Sequence, residues 1–193
     1  MPHSDIASYH SIKRVKLPIT FDAQKLLSEI KHIGLDEFVY YDVIPLTIPK
    51  RKPNLPPVID YADGSWAEWN NSKVLDRSPH LNEVVEYFRE FCDVTLVRLL
   101  RLAKGAVVKE HTDPTLGLHI ERSVIRLTIP ILVNEGAVFY LNNAYVPMLP
   151  GECWYLNLTD PHRVVNVSDT ERINMSIDMR PNDKIMSMIL DSK

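Results

Sequence analysis

The chain has 193 residues, 45% hydrophobic and 24% charged, with a formal net charge of −3. That is enough to bury one full core, and the near-balanced charge gives no bulk attraction for nucleic acid or an anionic membrane surface. No apolar run approaches the roughly 20 residues of a spanning helix, and residues 1–10 lack the apolar stretch of a signal peptide. The two cysteines, Cys92 and Cys153, lie in apolar surroundings and read as buried free thiols of a cytoplasmic protein rather than a disulfide.

Residues 1–19 read as an irregular or extended lead-in. Ala23, Leu26, Leu27 and Ile30 then recur at helical spacing, and Gly34 is placed to end that helix. Residues 38–48 are rich in β-branched and aromatic side chains and predict a strand. Pro49, Pro53, Pro56 and Pro57 forbid regular structure, so residues 49–59 are a loop, and Lys50, Arg51 and Lys52 within it form a solvated turn or attract an anion. Trp66 and Trp69 belong either to the core or to the wall of a substrate pocket. Ser78 as N-cap, Pro79 as first helical residue and the stripe Leu81, Val84, Val85, Phe88 predict a second helix. After Asp93 the texture changes to short strands: 95–102, 122–133, 137–141, 145–148, 152–156, 162–167 and 172–179. Asn142-Asn143 and Pro150-Gly151 are turns between them. A helix over 183–190 follows. Strands at this spacing predict a sandwich or barrel of the jelly-roll or cupin type. The whole is expected to be one α+β domain over 1–193: a helix-and-loop region over 1–93, a β core over 94–180, and a C-terminal helix over 181–193.

Three residues stand out chemically. His111 and Asp113 are two apart, so in an extended segment they point to one side. His162 lies in a later strand. Two histidines and one carboxylate make the facial triad of non-haem Fe(II) oxygenases, which leaves three positions for a bidentate 2-oxoacid and O2. Arg172, ten residues beyond His162, is the cation suited to the 5-carboxylate of 2-oxoglutarate, because its fork meets a carboxylate bidentately.

Strand alternation gives a second expectation. If residues 162–176 form a hairpin centred near Asp169, then Asn166 faces Arg172, Val164 faces Asn174 and His162 faces Ser176. His162, Asn166, Arg172, Asn174 and Ser176 would share one polar face, with Ile173, Met175 and Ile177 on the other. In residues 122–133, Ser123, Ile125, Leu127, Ile129 and Ile131 form one face, and Arg122, Val124, Arg126 and Thr128 form the other. Arg126 meets either water or the site. Asn166, Asn174, Arg126 and Trp66 are therefore candidate substrate contacts.

The runs RLLRLAKGAVVKEHTDPT, RLTIPILVN and LPGECWYLNLTDPHRVVNVSDTERINMSIDM resemble the aspartyl/asparaginyl β-hydroxylase-like family of 2-oxoglutarate dioxygenases, which includes the bacterial proline 3-hydroxylases. The resemblance covers residues 95–179. It implies a double-stranded β-helix core buttressed by N-terminal helices. It implies His111, Asp113 and His162 as iron ligands, Arg172 on 2-oxoglutarate, and Arg122 on an acid group of cosubstrate or substrate. Fe(II), 2-oxoglutarate and O2 are the implied cofactors. Asp113 departs from the animal aspartyl hydroxylases, which have Gly there. It matches the proline hydroxylases and argues against a halogenase, which needs that position vacant. The proline hydroxylases carry an additional C-terminal region, so the resemblance does not carry their substrate over. The neighbourhood of His119 and Glu121 departs further, in a loop that the resemblance puts near the substrate.

The expected activity is hydroxylation of an unactivated C–H of a free amino acid or related small carboxylate. Alternatives are hydroxylation of an Asp, Asn or other residue in a peptide or protein, a redox-neutral cupin-like metalloenzyme, and a non-catalytic binding module on the same scaffold. Partners are then a small-molecule or peptide substrate, without nucleic acid or membrane; the oligomeric state is open.

Overall fold

The computed structural model describes residues 9, 11–33, 42–50, 67–118 and 124–193. Gly34, residues 38–41, most of the 49–59 loop, Trp66, His119, Glu121, Arg122 and Ser123 lie outside the described residues.

Two sheets face each other. The larger holds six strands in the order β1 (Arg14–Thr20), β10 (Glu152–Leu156), β7 (Ile125–Leu132), β12 (Arg172–Met179), β5 (Val94–Leu102) and β2 (Val43–Pro45), all paired antiparallel. The smaller holds β6 (Val107–His111), β11 (His162–Asn166), β8 (Ala137–Leu141) and β9 (Ala144–Tyr145). A separate ribbon pairs β3 (Thr47–Pro49) with β4 (Trp69–Asn71). This is the jelly-roll type of sandwich expected from the many short strands, and the double-stranded β-helix that the family resemblance implies.

Alternation builds two cores. One face of β12 sends Ile173, Met175, Ile177 and Met179 outward, where they meet the helices. The helix α1 (Ala23–Ile33) packs on β7 through Leu26 and Ile30, and α3 (Pro79–Arg89) packs on β5 through Leu81, Val84, Val85 and Phe88. The last helix, α4 (Asp183–Asp191), closes the same side against β1. The other face looks into the space between the sheets. There a second cluster gathers Phe139, Leu141, Trp154, Leu156, Leu158 and Val164. Burying β12 on both faces makes all eight of its residues inaccessible, so its polar side chains sit inside the protein.

Ser78 and Pro79 take the N-cap and first helical positions as the sequence predicts, but the capping hydrogen bonds come from elsewhere. Ser78 stands at the N-cap of α3, but its hydroxyl donates to the Val74 carbonyl at 2.8 Å. The open N–H groups of the first turn are met from α1 instead. Both carboxylate oxygens of Glu29 accept, from His80 N at 2.8 Å and Leu81 N at 2.9 Å.

Three further expectations need correction. The strand expected over 38–48 is present as β2 and β3, but residues 14–20, read as an irregular or extended lead-in, form β1, which with β2 completes the two edges of the large sheet. β6 and the short α2 (Lys73–Asp76) carry no strong periodic signal: every residue of β6 is exposed, so no apolar alternation marks it. Finally, β11 and β12 are not a hairpin. β11 pairs with β6 and β8, whereas β12 pairs with β5 and β7 in the opposite sheet. The chain crosses between sheets at residues 167–171. The shared inner face survives, because residues alternate identically whether two strands pair side by side or face each other across a sandwich.

Both cysteines are free and buried, as expected. Burial pushes the Cys92 thiol up to about 11 and the Cys153 thiol further. Neither is a reactive thiolate. Among the described residues no helix is long and apolar enough to cross a membrane.

Candidate metal centre and cosubstrate cavity

β6 ends at His111, and β11 begins at His162. The pairing of these strands puts the two residues directly opposite each other. Asp113 follows two residues later, its backbone N–H held by the Leu158 carbonyl at 2.8 Å. One donor atom from each of His111, Asp113 and His162 lies within 4.8 Å of the others, the only such group among the described residues. The imidazole centroids are 4.2 Å apart, and His162 Nε2 lies 3.9 Å from Asp113 Oδ2.

The tautomers suit a metal. His111 Nδ1 lies 2.8 Å from the Lys109 carbonyl, and His162 Nδ1 lies 3.0 Å from the Asp160 carbonyl. A carbonyl only accepts, so each Nδ1 carries a proton, and Nε2 is the nitrogen left to ligate. His162 is buried and stacks on Phe139 at 5.9 Å. Burial, aided by His111 and Arg126 nearby, holds its pKa below the usual value, so the neutral, ligating form is favoured. Two imidazoles and one carboxylate on one side of a cavity fit a divalent iron with its remaining positions open.

The cavity between the sheets, about 220 Å³, opens on these three residues. Leu102, Phe139, Leu158 and Val164 supply its apolar wall, and Arg172, Asn174 and Ser176 supply a polar stripe from β12. Arg172 is 5% exposed. Burial pushes its guanidinium down to about 10, so it remains charged at neutral pH. Its Nη1 donates to Asn174 Oδ1 at 2.6 Å, and no carboxylate among the described residues pairs with it. A buried, hydrogen-bonded but uncompensated guanidinium is costly unless an anion arrives.

The other sequence candidates divide. Asn174 lines the cavity and orients Arg172. Asn166 does not line it. Its amide donates to the carbonyls of Leu102, Ala103 and Thr170, and its oxygen accepts from Ser168 N and Oγ. With every group used, Asn166 ties the crossover from β11 to β12. Arg126 faces the site rather than water, but its fork is already occupied. Nε and Nη2 hold the two oxygens of Asp178 at 2.6 and 2.7 Å, and Nη1 reaches Asp113 Oδ2 at 3.5 Å. Arg126 therefore orients Asp113 and has no free edge for a substrate carboxylate. Trp66 and Arg122 lie outside the described residues, and Trp69 sits in β4. Two residues escaped the sequence reading. Asp178 is one more step along the alternation of Arg172, Asn174 and Ser176. Arg98 is the inner-face residue of β5 opposite Ser176.

Over 100 residues the chain is 29% identical to L-proline cis-4-hydroxylase of Rhizobium meliloti (strain 1021), a match that covers 52% of this chain and 35% of that protein. It is 28% identical over 107 residues to L-proline cis-3-hydroxylase 2 of Streptomyces sp, covering 54% and 36%. The matched segment thus spans about a third of these relatives' length. Among solved structures, the fold is similar to the viral collagen prolyl hydroxylase of Paramecium Bursaria Chlorella virus-1, with a TM-score of 0.52 at 12% identity over 91% of this chain and 99% of that one. It is also similar to a 2OG-Fe(II) oxygenase family protein from Burkholderia pseudomallei, with a TM-score of 0.52 at 14% identity over 91% and 88%. Residues 61–181 match the aspartyl/asparaginyl beta-hydroxylase family, and the chain belongs to that family.

Proposed function

We propose that this protein is an Fe(II)- and 2-oxoglutarate-dependent dioxygenase that hydroxylates an unactivated C–H of a free amino acid or related small carboxylate. One observation carries the reading: a two-histidine, one-carboxylate donor set opens onto a cavity that also holds a buried guanidinium without an acidic partner. His111 and His162 ligate through Nε2, and Asp113 through its carboxylate. When bound, the iron and 2-oxoglutarate supply O2-dependent oxidising power that no side chain has. The protein's own task is placement. Arg172 takes the distal carboxylate of 2-oxoglutarate, with Asn174 fixing the plane of its fork. Arg126 and Asp178 keep the Asp113 carboxylate turned toward the histidines. Phe139, Leu158 and Val164 keep the cavity dry, which strengthens each charged contact.

The two relatives named for free L-proline favour a free amino acid over a residue in a peptide or protein. A redox-neutral metalloenzyme leaves Arg172 buried with nothing to bind. The buried thiols of Cys92 and Cys153 suit a reducing compartment, and we assign the protein to the cytoplasm.

The test is anaerobic absorbance of the protein titrated with Fe(II) and then 2-oxoglutarate. A weak visible charge-transfer band requiring both, absent in His162→Ala, is the expected result. Metal binding without that band would contradict a chelating 2-oxoacid.

A further inference from the structure

Arg172 borders a second cavity. It measures about 290 Å³ and lies between β8, β9 and the loop that leads into β10. Phe139 and Arg172 line both this cavity and the metal-side one, so these two side chains stand between them. None of His111, Asp113 and His162 lines the second cavity. Its wall is mainly apolar. Phe139, Val146 and Met148 are buried, whereas Tyr145 and Leu149 are 55% and 62% exposed and stand at the mouth. Two charged residues complete the lining among the described residues: Arg172, which is buried, and Glu135, which is exposed. A cavity of about 300 Å³ with an apolar wall and one buried charge has the form of a small-molecule site. An apolar ligand body would also cover Tyr145 and Leu149, two large side chains that water otherwise meets.

We propose that the second cavity binds a monocarboxylate with an apolar tail, and that this ligand competes with 2-oxoglutarate for Arg172 from outside the metal-side cavity. The carboxylate meets the guanidinium, and the hydrocarbon lies against Phe139, Val146 and Met148 and under Tyr145 and Leu149. The binding stands on the cavity itself, and the competition rests on the dioxygenase reading above. Charge explains why the two ligands exclude each other. Arg172 carries one positive charge and has no acidic partner among the described residues. One carboxylate cancels that charge. A second would leave a buried negative charge unpaired. Charge also selects the ligand class. Glu135 is an acid in the lining, so a second carboxylate on the ligand would be repelled there. The apolar wall favours a hydrocarbon tail over a polar one. A monoacid of this kind would thus lower the protein's affinity for its cosubstrate without touching the metal.

The experiment is anaerobic calorimetry on the Fe(II)-loaded full chain, with butanoate, hexanoate, octanoate and octan-1-ol as probes. Affinity should rise about two- to fourfold per added methylene from butanoate to octanoate. Octan-1-ol, which lacks the charge, should bind roughly tenfold more weakly than octanoate or worse. Leu149→Asp places a negative charge at the mouth and should weaken octanoate by roughly tenfold, and Tyr145→Ser by about threefold. Both side chains are exposed and neither lines the metal-side cavity, so the unfolding temperature and the affinity for 2-oxoglutarate should stay at wild-type values. Titration of the Fe(II)–2-oxoglutarate absorbance band reads the competition. Octanoate should raise the 2-oxoglutarate needed for half of the band in the wild type, and far less in Leu149→Asp. The proposal is overturned if none of the acids binds, or if octan-1-ol binds as well as octanoate. Wild-type octanoate affinity in both variants would place the acid in the metal-side cavity and overturn it too. Octanoate that binds yet leaves the band titration unchanged would overturn the competition. If the wild type forms no band, the dioxygenase reading fails, and calorimetry on the wild type and Leu149→Asp still decides whether the second cavity is a site.

Discussion

At the level of single residues, the inner face of the large sheet trades stability for function. Arg172 is buried without an acidic partner, so Arg172→Met should raise the unfolding temperature in the absence of ligands. The gain should be about 1 kcal/mol, or roughly 2–4 °C for a chain of this size. The same variant should lose the thermal stabilisation that 2-oxoglutarate gives the metal-loaded wild type, while metal binding persists. Thermal unfolding with and without each ligand reads both effects. Arg126 should behave in the opposite way, because its charge is matched. Asp178→Asn leaves that guanidinium buried with half a partner and should cost about 3–5 kcal/mol in chemical denaturation. It should also weaken metal binding, since Arg126 would no longer be held against Asp113. The triad, Arg172 and the shared polar face were legible in the sequence, because spacing and alternation are local properties. The occupancy of Arg126 and Asn166 was not, since both depend on partners 52 and 64 residues distant.

Among the secondary-structure elements, the connections decide what the pattern leaves open. The helices α1, α3 and α4 and most core strands follow from apolar periodicity. The crossover after β11 does not, because a hairpin and a sheet-to-sheet crossover bury the same alternate residues. The cap of α3 was hidden for a related reason: the capping group is Glu29, on another helix. Glu29→Ala should therefore destabilise by about 1 kcal/mol, more than Ser78→Ala at the formal cap position, as denaturant midpoints would register. The turn before β10 is a further weak point. Gly151 has φ +83°, and a Cβ there would lie 2.2 Å from the Phe21 carbonyl oxygen. Gly151→Ala should cost 2 kcal/mol or more, on the order of other strained buried sites. Glu152, the next residue, ties the start of β10 to its surroundings. Burial alone would raise its pKa, but the Leu149 N–H, the Trp154 indole and Lys16 together hold it below the usual carboxylate value. A lowered folded-state pKa means that this stabilisation is complete above the ordinary carboxylate range and is lost as pH falls through the folded value. Glu152→Gln should flatten the acid side of the stability–pH curve and cost about 1–3 kcal/mol at neutral pH.

Taken whole, the molecule is a sandwich whose two sheets divide the chemistry. The small sheet, through β6 and β11, presents the two histidines. The large sheet presents two guanidiniums, Arg126 of β7, matched by Asp178, and Arg172 of β12, without an acidic partner among the described residues. Among the described residues, helices cover only the outer face of the large sheet, which leaves the space between the sheets for ligands. This division explains why metal and cosubstrate positions can be proposed with the substrate unidentified. They depend on register between strands. The central claim is tested most directly by measuring succinate formed from 2-oxoglutarate under O2 with each of the twenty L-amino acids. The account predicts that at least one amino acid drives succinate release in one-to-one ratio with its hydroxylated product, and that His162→Ala and Arg172→Met abolish both. Metal-loaded protein that binds an amino acid but forms no succinate with it would contradict the account.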